Sequence, residues 1–386
     1  MADVVEINDI DSLGSYHLAW DALHAETHDA SFFNTLDWLK TYWSHFGHDQ
    51  KLRVLIVRAL GKPIGVVPLV VRREPSRLGM VRVLTYPLDY WGSSYSSLGA
   101  CQTALLTMAM RHIAETPRDW GLFEPRWVAH DGSDRGRTAR AMRHAGLPIT
   151  FRQHAAYSLI DCDQCKTWDA YLMGMTAKAR HELKRQRRQI ENHHVVEHIR
   201  YRPEPHRAGG GAPAWELFEQ CLEVSRSSWQ ADSTTGNTLC HTSVQPFLRD
   251  AHRQAARIGM LDLNLLMVDG RAAAYFYGYQ THGVVTGLRM GYDPNGPKGA
   301  GAVLLGRVIE DSFRRGDRAI DLGIGREAFK SRFRTSQEPI YRLTCRSPQA
   351  LRVRAVEASR WVRSRVWPTE SNSVVVRGRT IRVRDA

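Results

Sequence analysis

The sequence predicts an α+β fold in which mostly antiparallel sheets are flanked by helices. Three observations lead to this prediction. The C-terminal half contains three consecutive strand-like runs, and a glycine-bearing loop then enters an apolar-periodic helix that is followed by a fourth strand. The N-terminal half repeats this order loosely, without visible residue-level identity. The order indicates an antiparallel meander with one further strand rather than a parallel doubly wound sheet.

The C-terminal meander has the clearest local signals. Residues 261–268, 271–280 and 284–291 are rich in apolar and β-branched residues, which favours strands. Asp269 and Gly270 join the first two runs, and Asp-Gly between apolar runs is typical of a tight hairpin turn. We therefore expect these three strands to pair in chain order.

The glycine loop at 295–301 leads into a helix predicted at 302–314, and a fourth strand follows at 319–322. A second, shorter helix is predicted to carry Lys330 and Phe333. The backbone N–H groups of a turn that enters a helix point outward at the positive end of the helix dipole. The turn is therefore a candidate site for a pyrophosphate, although an ordinary flexible turn is the alternative. The surrounding residues contain neither a Walker motif nor a dinucleotide fingerprint.

The remaining elements follow from periodicity and turn residues. In the first half we predict two helices before residue 50, strands at 52–59, 64–72, 80–86, 127–129 and 156–160, and helices at 103–114 and 137–144. Further on we predict a basic helix at 176–192, a Pro- and Gly-rich loop at 202–213, helices at 214–229 and 243–258, a strand at 341–345, a C-terminal helix at 350–366 and a hairpin over Gly378.

Composition limits the class of protein. The chain has 386 residues, enough for two or three domains, and it contains no run of 18 apolar residues that would span a membrane. The acidic N-terminus lacks the apolar region of a secretion signal, so we expect a cytoplasmic protein. Cys162 and Cys165 form a single CxxC without a second pair, which argues against zinc, and no metal is expected.

The formal net charge of +13 suggests an anionic partner. Candidates are coenzyme A phosphates, an anionic glycan, a membrane surface or RNA, and the alternative is an ordinary basic protein. The helix at 176–192 is rich in Lys and Arg and has only one thin apolar stripe. It is either an anion-binding ridge or a solvated helix between domains.

Several short motifs occur in a defined order along the chain. They are Met290-Gly291-Tyr292-Asp293, the run from Gly299 to Leu305, the run from Asp321 to Gly325, Phe329-Lys330, Ser31-Phe32-Phe33 with Trp38 and Trp43, Pro68-Leu69, Lys178 with Arg180 and Leu183, and Ser228-Trp229. Their order resembles the GNAT acyltransferase superfamily. More narrowly it resembles the BioF2-like or CelD-like acetyltransferase branch, which is similar to the Fem-type peptidoglycan aminoacyl transferases.

The resemblance implies two tandem GNAT-like domains. We expect an N-terminal domain at 1–165 and a C-terminal domain at 166–386, the second containing the basic helix and the C-terminal helix. The resemblance also implies that an acyl donor binds along the strand before the glycine turn and at the turn itself. The expected donor-binding residues are Met290, Gly291, Lys298, Gly299, Ala300, Gly301 and Ala302. The usual GNAT signature has Arg or Gln three residues before the first glycine, whereas this chain has Gly296 there.

Asp321 is the candidate general base or substrate anchor, because it ends the fourth strand on the expected side of the cleft. Its alternative role is to cap the following glycine turn. Tyr292 is a second catalytic candidate, and Phe329 lacks the hydroxyl that a general acid at its position would need. We expect Asp321, Tyr292 and Asp293 to lie near one another.

The candidate substrate-binding residues come from both halves. The aromatic and polar loop 87–95 faces the central cleft in the resembled family, and it includes Trp91 and Tyr95. The full set of substrate-binding candidates is Asp89, Tyr90, Trp229, Asp293 and Lys330.

The resemblance implies transfer of an acetyl or similar group from acetyl-CoA to an amine or hydroxyl acceptor. The acceptor is expected to be a small molecule or glycan, such as a sugar or polysaccharide precursor. Two alternatives remain open: a Fem-like transferase that uses aminoacyl-tRNA, and a non-catalytic module that binds an anionic polymer. Nucleic acid is expected only as tRNA in the first alternative, and the oligomeric state is left open.

Overall fold

The computed structural model describes residues 2–76, 79–325, 328–347, 373–376 and 379–382. Within these residues, twelve strands form one sheet. They are β1 (Ala2–Ile7), β2 (Gln50–Ala59), β3 (Lys62–Ser76), β4 (Gly79–Thr85), β5 (Leu122–Phe123), β6 (Ile149–Asp161), β7 (Val196–Tyr201), β8 (Leu261–Val268), β9 (Arg271–Thr281), β10 (Val284–Tyr292), β11 (Ala319–Ile324) and β12 (Ser336–Arg346). A separate hairpin pairs β13 (Ser373–Val376) with β14 (Arg379–Arg382).

Helices cover both faces of the sheet. They are α1 (His17–Glu26), α2 (Leu36–Phe46), α3 (Gln102–Glu115), α4 (Arg137–His144), α5 (Cys162–Cys165), α6 (Trp168–Gly174), α7 (Ala177–His193), α8 (Trp215–Ser227), α9 (Gln245–Arg257), α10 (Ala300–Arg315) and α11 (Lys330–Phe333). Alternate side chains of β9 enter different cores, because successive residues of a strand point to opposite faces. Tyr275, Tyr277 and Tyr279 pack on the side of α8 and α9, whereas Phe276 packs with α10.

The strand order shows a two-fold repeat of topology. The sheet runs β1-β2-β3-β4-β5-β12 and continues as β6-β11-β10-β9-β8-β7. Neighbours are antiparallel except for β4 with β5 and β10 with β11, which are parallel. Each half therefore has four strands in antiparallel order and a fifth beside the fourth, with α3 or α10 in the crossover.

The two halves exchange one strand. β6 follows β5 in the chain but pairs with β11, and β12 follows β11 but pairs with β5. The exchanged strands pair with each other along their length, from Ser336 opposite Leu159 to Cys345 opposite Ile149. This seam joins the halves into one continuous sheet.

The predicted C-terminal meander is confirmed. β8, β9 and β10 pair in chain order, β11 adds to β10, and Asp269 has the positive φ of 50° that the tight turn requires. The helix after the glycine loop begins at Ala300 rather than at 302. The predicted C-terminal hairpin is confirmed by the pairing of β13 with β14. Gly378 and the helix predicted at 350–366 lie outside the described residues.

Some strand predictions were incomplete or wrong. β1 and β7 were missed, because short half-polar edge strands have no strong apolar alternation. The predicted strand at 127–129 is absent from the described structure except for one bridge between Val128 and Tyr341. Trp127 has a φ of 66°, and this left-handed conformation interrupts an extended chain.

A buried ion-pair network fixes the far edge of the sheet. Arg200 and Arg202 both contact Asp262, at 2.8 and 2.7 Å, and both reach Asp317 in the turn between α10 and β11. Burial by itself would raise the pKa of Asp262, but the two guanidinium charges outweigh that effect and hold its pKa below the usual value. The network therefore connects the start of the 202–213 loop to the turn that precedes β11.

We expect Asp262→Asn to lower the free energy of unfolding by about 3–5 kcal/mol, because it leaves two buried guanidinium groups short of negative charge. Urea denaturation measures the change. The matched control is Glu219→Gln, which removes the partner of Arg249 in an exposed pair and should cost less than about 1 kcal/mol. Equal losses in the two variants would contradict a structural role for the network.

Candidate functional site

The parallel strands β10 and β11 stay together only briefly. Their pairing covers Val284 to Thr286 opposite Ala319 to Asp321. β10 then continues to Tyr292 while paired with β9, and an irregularity between Gly287 and Arg289 changes its register. The two strands therefore open a gap at the C-terminal end of β10, where backbone groups on the β11 side are not used in a ladder.

The glycine turn lies just beyond this gap. Gly299 is the N-cap of α10 with a φ of 92°, a conformation that glycine adopts without steric cost. A Cβ on Gly299 would lie 2.8 Å from Cδ of Gln186, so α7 packs directly against the turn. No side chain caps α10 in the described structure. The Ala300 N–H donates to the Pro297 carbonyl at 3.1 Å, which leaves the N–H groups of Gly301 and Ala302 available for an anion.

The other donor candidates surround this turn. Ala300 is buried, Lys298 is exposed, and Tyr292 lies against the turn with 52% of its surface exposed. A Cβ on Gly301 would lie 3.3 Å from Cδ1 of Tyr292, so larger side chains at 301 would displace that ring. The structure therefore brings the end of β10 and the first turn of α10 together, as expected.

Gln230 holds the end of β10 in place, and sequence reasoning missed it. Its amide nitrogen donates to the carbonyl of Met290 at 2.7 Å, and its amide oxygen accepts from the hydroxyls of Ser225 and Tyr275. The side chain is buried, and a Cβ on Gly291 would lie 3.1 Å from its nitrogen. The only sequence signal was its position beside Trp229.

Asp321 is buried where β10 and β11 separate. Its side chain is 6% exposed, and Oδ1 accepts a 2.7 Å hydrogen bond from the Gly323 N–H, so it caps the turn as one interpretation of the sequence expected. Burial raises the pKa of Asp321 to about 6, although the Ser93 hydroxyl, the Gly323 N–H and the charge of Lys330 act in the opposite direction. A carboxyl group of this kind is half ionised near pH 6 and can accept a proton at neutral pH.

Ser93 comes from the loop between β4 and α3, in the other half of the chain. Gly92 lies against Phe33, and a Cβ on Gly92 would overlap that ring at 2.6 Å. Trp91, on one side of Gly92, covers the Arg289 guanidinium. Ser93, on the other side, forms a hydrogen bond with the Asp321 carboxyl group. Sequence reasoning placed this loop at the cleft but did not identify Ser93.

The predicted substrate residues are dispersed. Asp89 pairs with Arg72 and accepts from Tyr42, so it belongs to an ion-pair network of the first half. Tyr90 packs edge-on against Trp127. Trp229 is 70% exposed beside Gln230, and Lys330 is buried, with Nζ donating to the Ile324 carbonyl at 2.8 Å.

The expected proximity of Asp321, Tyr292 and Asp293 is wrong. Asp321 lies opposite Thr286, and Tyr292 follows Thr286 by six residues, which corresponds to about 20 Å of extended strand. Asp293 caps its own turn by accepting from the Asn295 N–H at 3.0 Å. Asp321 lies where the gap begins and Tyr292 at its opposite end, because β10 runs along the whole gap.

One protein family matches a segment in the second half of the chain. Residues 177–331 match the family described as Acetyltransferase (GNAT) domain. This segment is similar to GNAT-type acetyltransferase domains. The segment matched to the GNAT-type domain begins at the first residue of α7 and ends within α11, so it contains the glycine turn, Asp321 and Arg289.

FemX and a protein from Bacteroides thetaiotaomicron are solved structures that share the fold over most of the chain. A structure of FemX covers 92% of this chain and 100% of its own, with a TM-score of 0.58 and 11% identity. A conserved protein of unknown function from Bacteroides thetaiotaomicron covers 90% and 100%, with a TM-score of 0.50 and 13% identity. A tandem GNAT protein from the clavulanic acid biosynthesis pathway covers 90% and 100%, with a TM-score of 0.46 and 13% identity. Among curated proteins, none matches the sequence.

The composition of the candidate site follows from the residues that surround it. Among the described residues, no helix is both long and apolar enough to cross a bilayer, and no group of three or more His, Cys, Asp or Glu side chains is arranged to hold a metal. The matched segment, residues 177–331, contacts β6 and the loop bearing Ser93, which both lie outside it in the chain. Its candidate site is therefore built by both halves of the chain.

We expect Gln230→Ala to lower the free energy of unfolding by about 1–3 kcal/mol, because it leaves buried hydrogen-bonding groups on Ser225, Tyr275 and Met290 without a partner. Thermal and urea unfolding measure the loss. The adjacent variant Trp229→Ala is the control, since its exposed ring should change stability by less than about 0.5 kcal/mol. A Gln230→Ala protein as stable as wild type would show that Gln230 does not hold β10.

Proposed function

We propose that this protein transfers an acetyl or similar acyl group from coenzyme A to an amine or hydroxyl of an acceptor. The observation that carries the proposal is the gap between β10 and β11. It has an uncapped helix N-terminus at one end and a buried carboxyl group, Asp321, at the other. The proposal includes the BioF2-like or CelD-like branch, a small-molecule or sugar-type acceptor, a cytoplasmic location and two GNAT-like domains at 1–165 and 166–386.

In this proposal the donor lies along β10. The first turn of α10 receives the pyrophosphate on its N–H groups, and exposed Lys298 adds positive charge beside it. The pantetheine arm then follows the open edge of β10 past Met290 and Gly291. Gln230 keeps this edge fixed through the Met290 carbonyl, so the backbone is ordered before the donor arrives.

The transfer requires a proton acceptor and a group that stabilises negative charge. The acceptor amine or hydroxyl attacks the thioester carbonyl, and its proton passes to Asp321 either directly or through one water molecule. A backbone N–H of β10 binds the oxyanion of the tetrahedral intermediate. Collapse of that intermediate forms the amide or ester bond, breaks the carbon–sulfur bond and releases coenzyme A, whose sulfur takes up the proton.

We expect Asp321→Asn to reduce turnover by about 100-fold or more, because asparagine keeps the cap to Gly323 but loses basicity. Wild-type kcat/KM should rise about tenfold per pH unit below pH 6 and level off above it, since only the ionised carboxylate accepts the proton. The rise of kcat/KM with pH below pH 6 should be absent in Asp321→Asn. Release of free thiol, detected with a chromogenic disulfide, measures the rate.

The same pKa shift has a consequence for stability with the opposite sign. A carboxyl group whose pKa is raised by folding stabilises the protein while it is protonated, and that contribution disappears as pH rises through about 6. Asp321→Asn should therefore melt at or above the wild-type temperature at pH 7. Exposed Asp169→Asn controls for the loss of one charge.

The catalytic prediction would be contradicted by turnover near the wild-type rate in Asp321→Asn. Asp321 would then have a structural role only.

We expect Gly301→Val to weaken binding of acetyl-CoA by at least about tenfold, because its side chain would push Tyr292 and crowd the backbone that approaches the phosphates. Calorimetry on the folded variant measures the affinity. Gly174→Val is the matched control, since a Cβ on that exposed glycine meets nothing within 4 Å. Unchanged affinity in Gly301→Val would move the donor to another site, for which the basic helix α7 is the next candidate.

An aminoacyl-tRNA donor is the second candidate, favoured by one feature of the site. α7 packs against the glycine turn through Gln186 and exposes Lys178, Lys184, Arg185 and Arg188. Thermal shift separates the candidates: acetyl-CoA should stabilise a coenzyme A transferase and charged tRNA a Fem-like one. Stabilisation only by an anionic polymer would indicate a binding module without catalysis.

A further inference from the structure

The Arg289 guanidinium lies inside the protein without a carboxylate to balance its charge. Its Nε donates to the Asn237 carbonyl and its Nη1 to the Leu288 carbonyl, while Nη2 is buried and makes no hydrogen bond. In the described part of the chain, no aspartate or glutamate forms an ion pair with it, and the groups that act on its charge are Tyr275 and Tyr279. Arg289 is therefore held by neutral groups only.

Other buried arginines of this protein are paired with carboxylates. Arg53, Arg72, Arg126 and Arg200 each contact at least one carboxylate. Burial lowers the pKa of Arg289 to about 10, which reflects the cost of keeping an unbalanced cation away from water. A buried charge is normally paired, so its missing partner is expected to be a ligand.

A second donor near Arg289 also lacks an acceptor. The buried Tyr279 hydroxyl has the Tyr277 hydroxyl beside it but donates no hydrogen bond of its own. Tyr279 pairs with Thr286 at the point where β10 and β11 separate. Buried donors without partners are uncommon in folded proteins. A cation and a hydroxyl donor in one region are complementary to an oxyanion, which offers several acceptor lone pairs.

The position of Arg289 connects it to the proposed chemistry. Its guanidinium carbon lies 5.3 Å from the centre of the Trp91 ring, and Ser93, two residues further along the same loop, bonds to Asp321. Asp321 lies opposite Thr286, and Arg289 follows Thr286 by three residues, about 10 Å of strand. Arg289 as a residue is half-buried.

We propose that Arg289, with the Tyr279 hydroxyl, binds an oxyanion carried by the acceptor, and that the enzyme therefore selects amines or alcohols bearing a carboxylate or phosphate group. The proposal rests on the proposed function, in which Asp321 receives the proton of the acceptor nucleophile. The spacing along β10 places the anion several bonds away from that nucleophile. Trp91 covers one face of the guanidinium and limits the approach of water to it.

Two matched pairs of probes test the proposal without a donor. Calorimetry compares glucosamine 6-phosphate with glucosamine, and 4-aminobutyrate with butylamine, which separates a phosphate from a carboxylate preference. We expect wild type to bind the charged member of at least one pair at least about tenfold more tightly than the neutral member. Arg289→Gln should lose this preference while its affinity for the neutral member stays unchanged.

Three variants control the result. Arg289→Lys keeps the charge and should retain part of the preference, and Arg271→Gln removes one exposed positive charge and should bind as wild type does. Circular dichroism and melting temperature confirm that Arg289→Gln is folded. If that variant does not fold, Arg289→Lys takes its place: it should weaken the preference, and a preference as strong as that of wild type would overturn the proposal.

Equal binding of charged and neutral probes by wild type would overturn the proposal, as would a preference that survives in folded Arg289→Gln. The failure of the proposed function would look different. In that case the Arg289-dependent binding would remain, but acetyl-CoA and a bound charged probe would release no thiol. When transfer is observed, the Arg289→Gln defect should appear mainly in KM for the charged acceptor and only weakly in kcat.

Discussion

The pairing of β6 with β12 is the interaction on which the rest of the structure depends. Each of these strands leaves the half of the chain in which it begins and completes the sheet of the other half. Because the seam is continuous with both sheets, the orientation of the two halves is set by backbone hydrogen bonds rather than by side-chain contacts alone. The loop that carries Trp91 and Ser93 reaches Arg289 and Asp321 in this fixed arrangement.

The two halves share a topology but differ in the chemistry at corresponding places. In the first half, Glu124 follows β5, and although burial opposes ionisation, Arg126 and Arg342 hold the pKa of Glu124 below its usual value. In the second half, Asp321 has no comparable counter-ion set and its pKa is raised. The start of α3 has no side-chain cap either, so an open helix start is common to both halves. Among the described residues at these two places, the carboxyl group suited to proton transfer is Asp321 of the second half.

The sequence was sufficient for features that depend on local signals. The Asp269-Gly270 turn and the three apolar runs predicted the C-terminal meander, and the glycines at 299 and 301 predicted the helix start. Features that depend on pairing between distant parts of the chain could not be predicted from the sequence. Nothing in residues 336–346 indicates that this strand completes the first half, and an arginine at 289 looks like any strand residue until its neighbours are known to be neutral.

The exchanged strand also determines when the first half can be completed during synthesis. β5 needs β12 as its neighbour, and β12 leaves the ribosome about 200 residues after β5. Until then the nascent first half carries an unpaired strand edge, which is a template for pairing with other chains. β5 has only two residues, Leu122 and Phe123, so the edge that it leaves open is short. β6, with 13 residues, waits for both of its partners, β11 and β12. A short β5 thus reduces the risk of wrong pairing at the edge of the first sheet, whereas β6 is the longer segment that such pairing could involve.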